Sequence, residues 1–123
     1  MPLDDLAKID FELGPTRHAK VTLVITDGRP HTDQQARLSM LVDKLQAYVG
    51  YVLSPEFARK HKGVKPSDVL ICVASHDPAT EVMKQITSVR PAGDTNPDHL
   101  IRVVFADYRP GMPLPEYFTP RAN

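Results

Sequence analysis

Polar and apolar positions alternate strictly near the start of the chain, where Ile9, Phe11 and Leu13 are separated by Asp10 and Glu12. A period of two predicts a strand with one buried face and one wet face. Gly14-Pro15 interrupts it, and a denser run over 20–26, centred on Val21-Thr22-Leu23-Val24-Ile25, predicts a second, more buried strand antiparallel to the first. The chain then passes through Asp27-Gly28-Arg29-Pro30-His31 into a long helical pattern. Thr32 is placed to cap that helix, and Gln35, three residues on, completes a capping-box spacing. Leu38, Leu41, Val42, Leu45, Val49 and Val52 recur at three-four spacing and predict its core stripe.

Ser54-Pro55-Glu56 repeats the cap-and-proline start, so a short second helix is expected over 56–61, ended by Gly63. The continuous apolar run over 69–74, bounded by turn formers, predicts a central strand buried on both faces. Val82, Met83, Ile86 and Val89 keep helical spacing, with Asp77 as cap and Pro78 at the first helical position, and predict a helix over 79–89. A last strand is expected over 100–106. After Asp107 the prolines 110, 113, 115 and 120 exclude regular structure.

These elements define an α/β (α+β), two-layer fold: a mixed four-stranded sheet of order ββαβαβ, a long first helix and a proline-rich C-terminal tail. One α/β domain over 1–108 and a tail over 109–123 are expected. The length of 123 residues suffices for a core without disulfides or metals. The 15 basic and 15 acidic residues cancel, which removes the electrostatic footprint of a phosphate-binding or membrane-surface protein. Neither nucleic acid nor membrane is an expected partner, and no cofactor is expected. The single cysteine and the lack of an apolar leader predict a soluble cytoplasmic protein.

Strand-helix-strand connections make right-handed parallel crossovers, so strands two, three and four are expected to run the same way. Their carboxyl ends then form one rim, carrying Asp27 and His31, Ser75, His76 and Asp77, and Asp107, Tyr108 and Arg109. Aspartate with histidine can hold a divalent metal or exchange protons near neutral pH, so Asp27, His31, His76, Asp77 and Asp107 are the candidate set for a metal-assisted hydrolase. No pair has the spacing of a known metal motif, and Asp77-Pro78 reads equally as a helix start. Cys72, in mid-strand, reads as a small core residue. His18, His61 and His99 fall in loops or at element ends, where solvated histidines are the rule.

At 100° per residue Met40, Ala47 and Tyr51 cluster opposite the expected core stripe of the long helix, with Lys44 and Tyr48 at their edge. Methionine and tyrosine on an outward face suit contact with another chain, and Gly50 beside them costs about 1 kcal/mol relative to alanine. The tail combines a stiff extended backbone with Leu114, Tyr117 and Phe118, a composition that favours docking on its own domain or across a dimer.

Ile9-Asp10-Phe11, the strand end Ile25-Thr26-Asp27, and Lys44-Leu45-Gln46-Ala47-Tyr48 followed by Ser54 resemble a family of small bacterial proteins that is a domain of unknown function. The resemblance spans about residues 8–106. It implies the α/β fold and no particular activity. Members often carry an acidic run and an aromatic after the second strand, where this chain has Gly28-Arg29-Pro30-His31 and Gln34-Gln35-Ala36-Arg37, so no site in that turn is implied. The sequence reads first as a non-enzymatic interaction or homodimerising module, and second as the metal-assisted hydrolase.

Overall fold

The structure, a computed structural model, describes residues 11–16, 19–27, 33–76, 78–91 and 93–107, without the side chains of Phe11 and Asp27. Expectations that fall on Thr32, His31, Asp77 and the C-terminal tail therefore lie outside the described residues.

Five strands form one mixed sheet in the order β1-β2-β3-β5-β4. They are β1 (Phe11–Leu13), β2 (Val21–Asp27), β3 (Val69–Ser75), β4 (Ser88–Val89) and β5 (Ile101–Asp107). As expected, β1 pairs antiparallel with β2, while β2, β3 and β5 run parallel to one another. The fifth strand is a correction. The expected helix over 79–89 shrinks to α3 (Glu81–Lys84), capped by Thr80, and Ser88–Val89 becomes an edge strand on β5, Val89 opposite Ile101 and Ser88 opposite Arg102. Ile86, Thr87 and Val89 are β-branched, and pairing beside β5 outweighs a helical spacing that the same residues also satisfy.

Between β2 and β3 lie α1 (Gln34–Val52) and α2 (Pro55–Lys60). Asp33 caps α1, accepting from the Gln35 and Ala36 amides, so the cap stands one residue later than Thr32. Ser54 caps α2 through the Phe57 amide, with Pro55 in the first turn. Gly63, at φ +80°, takes the left-handed backbone that closes the turn after α2.

The core joins α1, α2 and α3 to one face of the sheet. Leu41, Leu45, Tyr48, Val49, Val52, Phe57 and Met83 pack on Val21, Leu23, Ile25, Val69, Ile71, Val73, Ile101 and Val103. Every strand residue in this set is odd-numbered, as the pleat requires for a single face. The buried stripe of α1 also departs from expectation. It runs through Arg37, Leu41, Lys44, Leu45, Tyr48, Val49 and Val52, while Val42 is 42% exposed. The helix is rotated toward its Lys44 and Tyr48 side because those two side chains bring long apolar stems under cover, where the Tyr48 hydroxyl finds a carbonyl and the Lys44 ammonium lies over the Tyr48 ring.

Tyr48 donates its hydroxyl to the Val24 carbonyl at 2.9 Å, and the Lys44 ammonium sits 5.6 Å from the centre of the Tyr48 ring. Arg37 Nη1 donates to Gln34 Oε1 and to the Pro78 carbonyl, tying the start of α1 to the segment after β3. Tyr48→Phe removes a buried donor from a backbone carbonyl and is expected to lower the unfolding free energy by about 1–2 kcal/mol, measured by urea denaturation.

Candidate functional site

The most concentrated polar chemistry among the described residues is at the edge strand β1. Glu12 pairs in register with Leu23 and therefore shares the helix-covered face, the reverse of the wet position that alternation with Phe11 and Leu13 suggests. Its side chain is only 15% exposed. Both carboxylate oxygens accept from the Tyr51 hydroxyl, at 2.8 and 3.0 Å, Lys60 Nζ donates at 3.3 Å, and His61 Nε2 donates to Oε2. Three elements, β1, the last turn of α1 and the end of α2, meet on this one carboxylate.

An aromatic wall backs the cluster. Phe57 is 2% exposed and stands edge-on to Tyr51, with ring centres 5.4 Å apart. The His61 ring lies 4.7 Å from Phe57. Burial alone would raise the Glu12 carboxyl, but hydrogen bonds from His61, Tyr51 and Lys60 outweigh it and hold the group below the ordinary carboxylate range. Burial first, and then the adjacent Glu12 carboxylate, push the Tyr51 phenol well above its ordinary value. His61 was expected as a solvated loop histidine; its side chain is 21% exposed and engaged with Glu12. The cluster escapes sequence reading because its four polar members come from positions 12, 51, 60 and 61 with no motif spacing.

The strand-end rim is partly assembled. Register places Asp27, Ser75 and Asp107 at matching positions on three adjacent parallel strands. Asp107 is exposed and His76 half-buried, whereas His31, Asp77 and the Asp27 side chain lie outside the described residues. Ser75 Oγ is buried and has no hydrogen-bond partner among the described residues. Among the described residues no group of three or more His, Cys, Asp or Glu could hold a metal ion. Cys72 is fully buried, and burial pushes its thiol up to about 12, which removes the thiolate needed of a nucleophile. His99 is engaged through Nδ1 with Asp94 at 2.7 Å, inside a loop whose Asp94 and Asn96 side chains also accept backbone amides.

The expected interface stripe of α1 resolves differently from its sequence reading. Lys44 and Tyr48 are fully buried within the monomer, and Met40 and Tyr51 pack half-buried against the core, leaving Ala47 half-exposed. Tyr51 owes its position to Phe57 and Glu12. The exposed apolar residues of α1 are instead Val42 and its C-cap Leu53, at 42% and 40%. Eleven residues is about three helical turns, so the two lie along one line of the helix, with Gln46 about 40° and Gly50 about 80° round the axis from Val42. A Cβ built on Gly50 meets nothing within 4 Å. Among the described residues no helix is long and apolar enough to cross a membrane.

These features define a small mixed α+β protein with a five-stranded sheet and three helices, in which the strongest acid-base cluster joins β1 to the α1-α2 corner. Residues 1–94 match the model of a family of unknown function, DUF6572, and the chain belongs to that family. The match takes in the N-terminal residues and stops before β5. No curated protein and no solved structure matches the sequence.

The Glu12 cluster carries a clear pH signature. A carboxyl whose value is depressed on folding contributes stability that is fully present above its unfolded value and is lost as pH falls through its folded value. Unfolding free energy should therefore drop as the pH is lowered below about 4.3, and Glu12→Gln should flatten that acid limb. At pH 7 the same substitution should cost about 2 kcal/mol in urea denaturation, through lost charge-assisted hydrogen bonds.

Proposed function

We propose that the protein is a non-enzymatic interaction module that forms a homodimer through the outer side of α1. The observation that carries this reading is the exposed strip of Val42, Gln46, Gly50 and Leu53: two large apolar side chains, 42% and 40% exposed, with an open glycine beside them. Glycine inside a helix costs about 1 kcal/mol relative to alanine, and among the described residues no atom lies within 4 Å of a Cβ placed there. A second helix crossing there would use that space, because a missing side chain lets two backbones approach closely. Placing the two Val42–Leu53 lines across a twofold axis would bury Val42 and Leu53 of both copies. Met40 and Ala47 would lie at the margin of such a contact. Lys44 and Tyr48, already buried, would act beneath it by holding α1 on the sheet.

The test is mass in solution by light scattering at tens of micromolar protein. A dimer is expected for the native sequence, and Val42→Glu with Leu53→Glu should weaken it by about a hundredfold or more, since two charges per copy would be desolvated. A native protein that is monomeric at that concentration removes the homodimer reading. Gly50→Ala supplies an independent check. In the monomer it should raise helix stability by about 1 kcal/mol, and in the dimer it should weaken association.

A second reading, metal-assisted hydrolysis at the strand ends, is supported by the matching positions of Asp27, Ser75 and Asp107 and by the buried hydroxyl of Ser75, unpartnered among the described residues. It requires His31, His76 and Asp77 to complete a ligand set. Divalent-ion titration of the native protein and of His76→Ala should then differ, and an absence of binding by the native protein ends this reading.

A further inference from the structure

His61 and His99 are each held by a carboxylate through one ring nitrogen. His61 donates from Nε2 to Glu12, and His99 engages Asp94 through Nδ1 at 2.7 Å. An ionised carboxylate can only accept, so in a neutral ring the proton sits on the engaged nitrogen and the lone pair on the other. For His61 that other nitrogen is Nδ1, which has no hydrogen-bond partner among the described residues and is not buried. The ring is also held in place. Its centre lies 4.7 Å from that of Phe57, and Glu12 is itself fixed by Tyr51 and Lys60. A carboxylate that sets the tautomer and a lone pair open to water are the parts of an oriented imidazole, able to act as ligand, base or nucleophile.

The charges around the ring decide between these roles. His61 stands in Arg59-Lys60-His61-Lys62, and all three cations are exposed. Lys60 reaches Glu12, whereas Arg59 and Lys62 have no ion-pair partner among the described residues. The acids nearby are Glu12, whose charge is shared among three donors, and Glu56 in the first turn of α2. Such surroundings repel a divalent cation from Nδ1 and attract an anionic electrophile. His99 has the same kind of support and the opposite neighbours, with Asp94 against its ring and Asp98 beside it in the chain. Carboxylate support alone therefore does not single out His61, but support together with three flanking cations does.

We propose that His61 is a phosphoryl-accepting residue that takes a phosphoryl group onto Nδ1 from a donor carrying it on nitrogen. The Nδ1 lone pair forms a bond to phosphorus, the donor's P–N bond breaks, and its amine leaves with that electron pair. The ring becomes a phosphoimidazolium and keeps its Nε2 proton, whose hydrogen bond to Glu12 stabilises the new positive charge. Glu12 is thus a positioning residue. Arg59, Lys60 and Lys62 supply positive charge for the phosphoryl oxygens, which carry about two negative charges. This modification goes beyond the dimer reading and does not depend on it.

The experiment treats the full-length protein with phosphoramidate at neutral pH. Phosphorus NMR and peptide mapping at alkaline pH then read the rate and ring position of phosphorylation at each of the five histidines. His61 should react about tenfold faster than His99, with phosphorus on Nδ1. The amide of Glu12→Gln can donate as well as accept, so it no longer sets the tautomer. The His61 product should then shift from Nδ1 toward Nε2 while His99 keeps its rate, a change that a general loss of stability would not confine to one ring. Arg59→Gln with Lys62→Gln, at two exposed positions, should slow phosphoramidate at His61 about tenfold and leave its rate with uncharged diethyl pyrocarbonate unchanged. That double substitution carries the test if Glu12→Gln does not fold.

Equal rates at His61 and His99 overturn the proposal. So does phosphorus on Nε2 of His61 in the native protein, or a native rate after the double substitution. A monomeric protein labelled at His61 in the expected way keeps the proposal and removes only the α1 dimer.

Discussion

A parallel strand in the middle of a sheet has no wet side. That constraint organises this protein, because β3 lies between β2 and β5 with all seven of its residues buried. Its odd-numbered residues receive α1 and α3. Its even-numbered residues need an equal cover, and its backbone is satisfied by two parallel ladders. Only short connections and long crossover segments can deliver such an arrangement, which is why the 41 residues between β2 and β3 are given mainly to helices that fold back over the strands they join.

The long helix meets that demand by an uneven route. Its seat on the sheet is set by Leu41, Leu45, Val49 and Val52, but its rotation is set by Arg37, Lys44 and Tyr48, whose polar ends are engaged while their stems fill the space beside β2. Burying two cations in one helix face is costly unless each is partnered, and here the partners also fix position: Arg37 ties α1 to the segment after β3. The Glu12 cluster performs the same work at the other end of α1. Without it, β1, three residues long, would hold the sheet edge by a single short ladder.

What the residues alone made legible follows from how strongly each pattern is determined. The run over 69–74 read as a central strand buried on both faces and the run over 20–26 as a buried antiparallel partner of the first strand, and both are strands, placed side by side by the fold. The direction of strand pairing followed from the handedness of crossovers. Segment 79–89 was ambiguous, since Ile86 and Val89 satisfy both a helical spacing and a short strand, and the choice depended on β5, which comes later in the chain. The face of α1 was misplaced because lysine and tyrosine count as surface residues in any pattern, whereas Lys44 and Tyr48 are covered. Glu12 inverted for a related reason: a carboxylate with three donors around it can occupy a core-side position that alternation assigns to an apolar neighbour. The strand-end rim was legible as register, and the acid-base cluster at β1 was not, because only the folded chain brings positions 12, 51, 60 and 61 together.

The order of strands has a consequence for how the chain comes into being. In space β5 stands between β3 and β4, yet it is the last of the described strands to be synthesised. Until it emerges from the ribosome, β3 presents a bare edge and β4 has nothing to pair with, so a nascent chain that already holds α1, α2 and most of the core remains an open sheet. Completion of this sheet waits for β5, which enters the gap between two segments already made. A chain stopped at residue 94, where the shared family region ends, would be left with that edge unprotected.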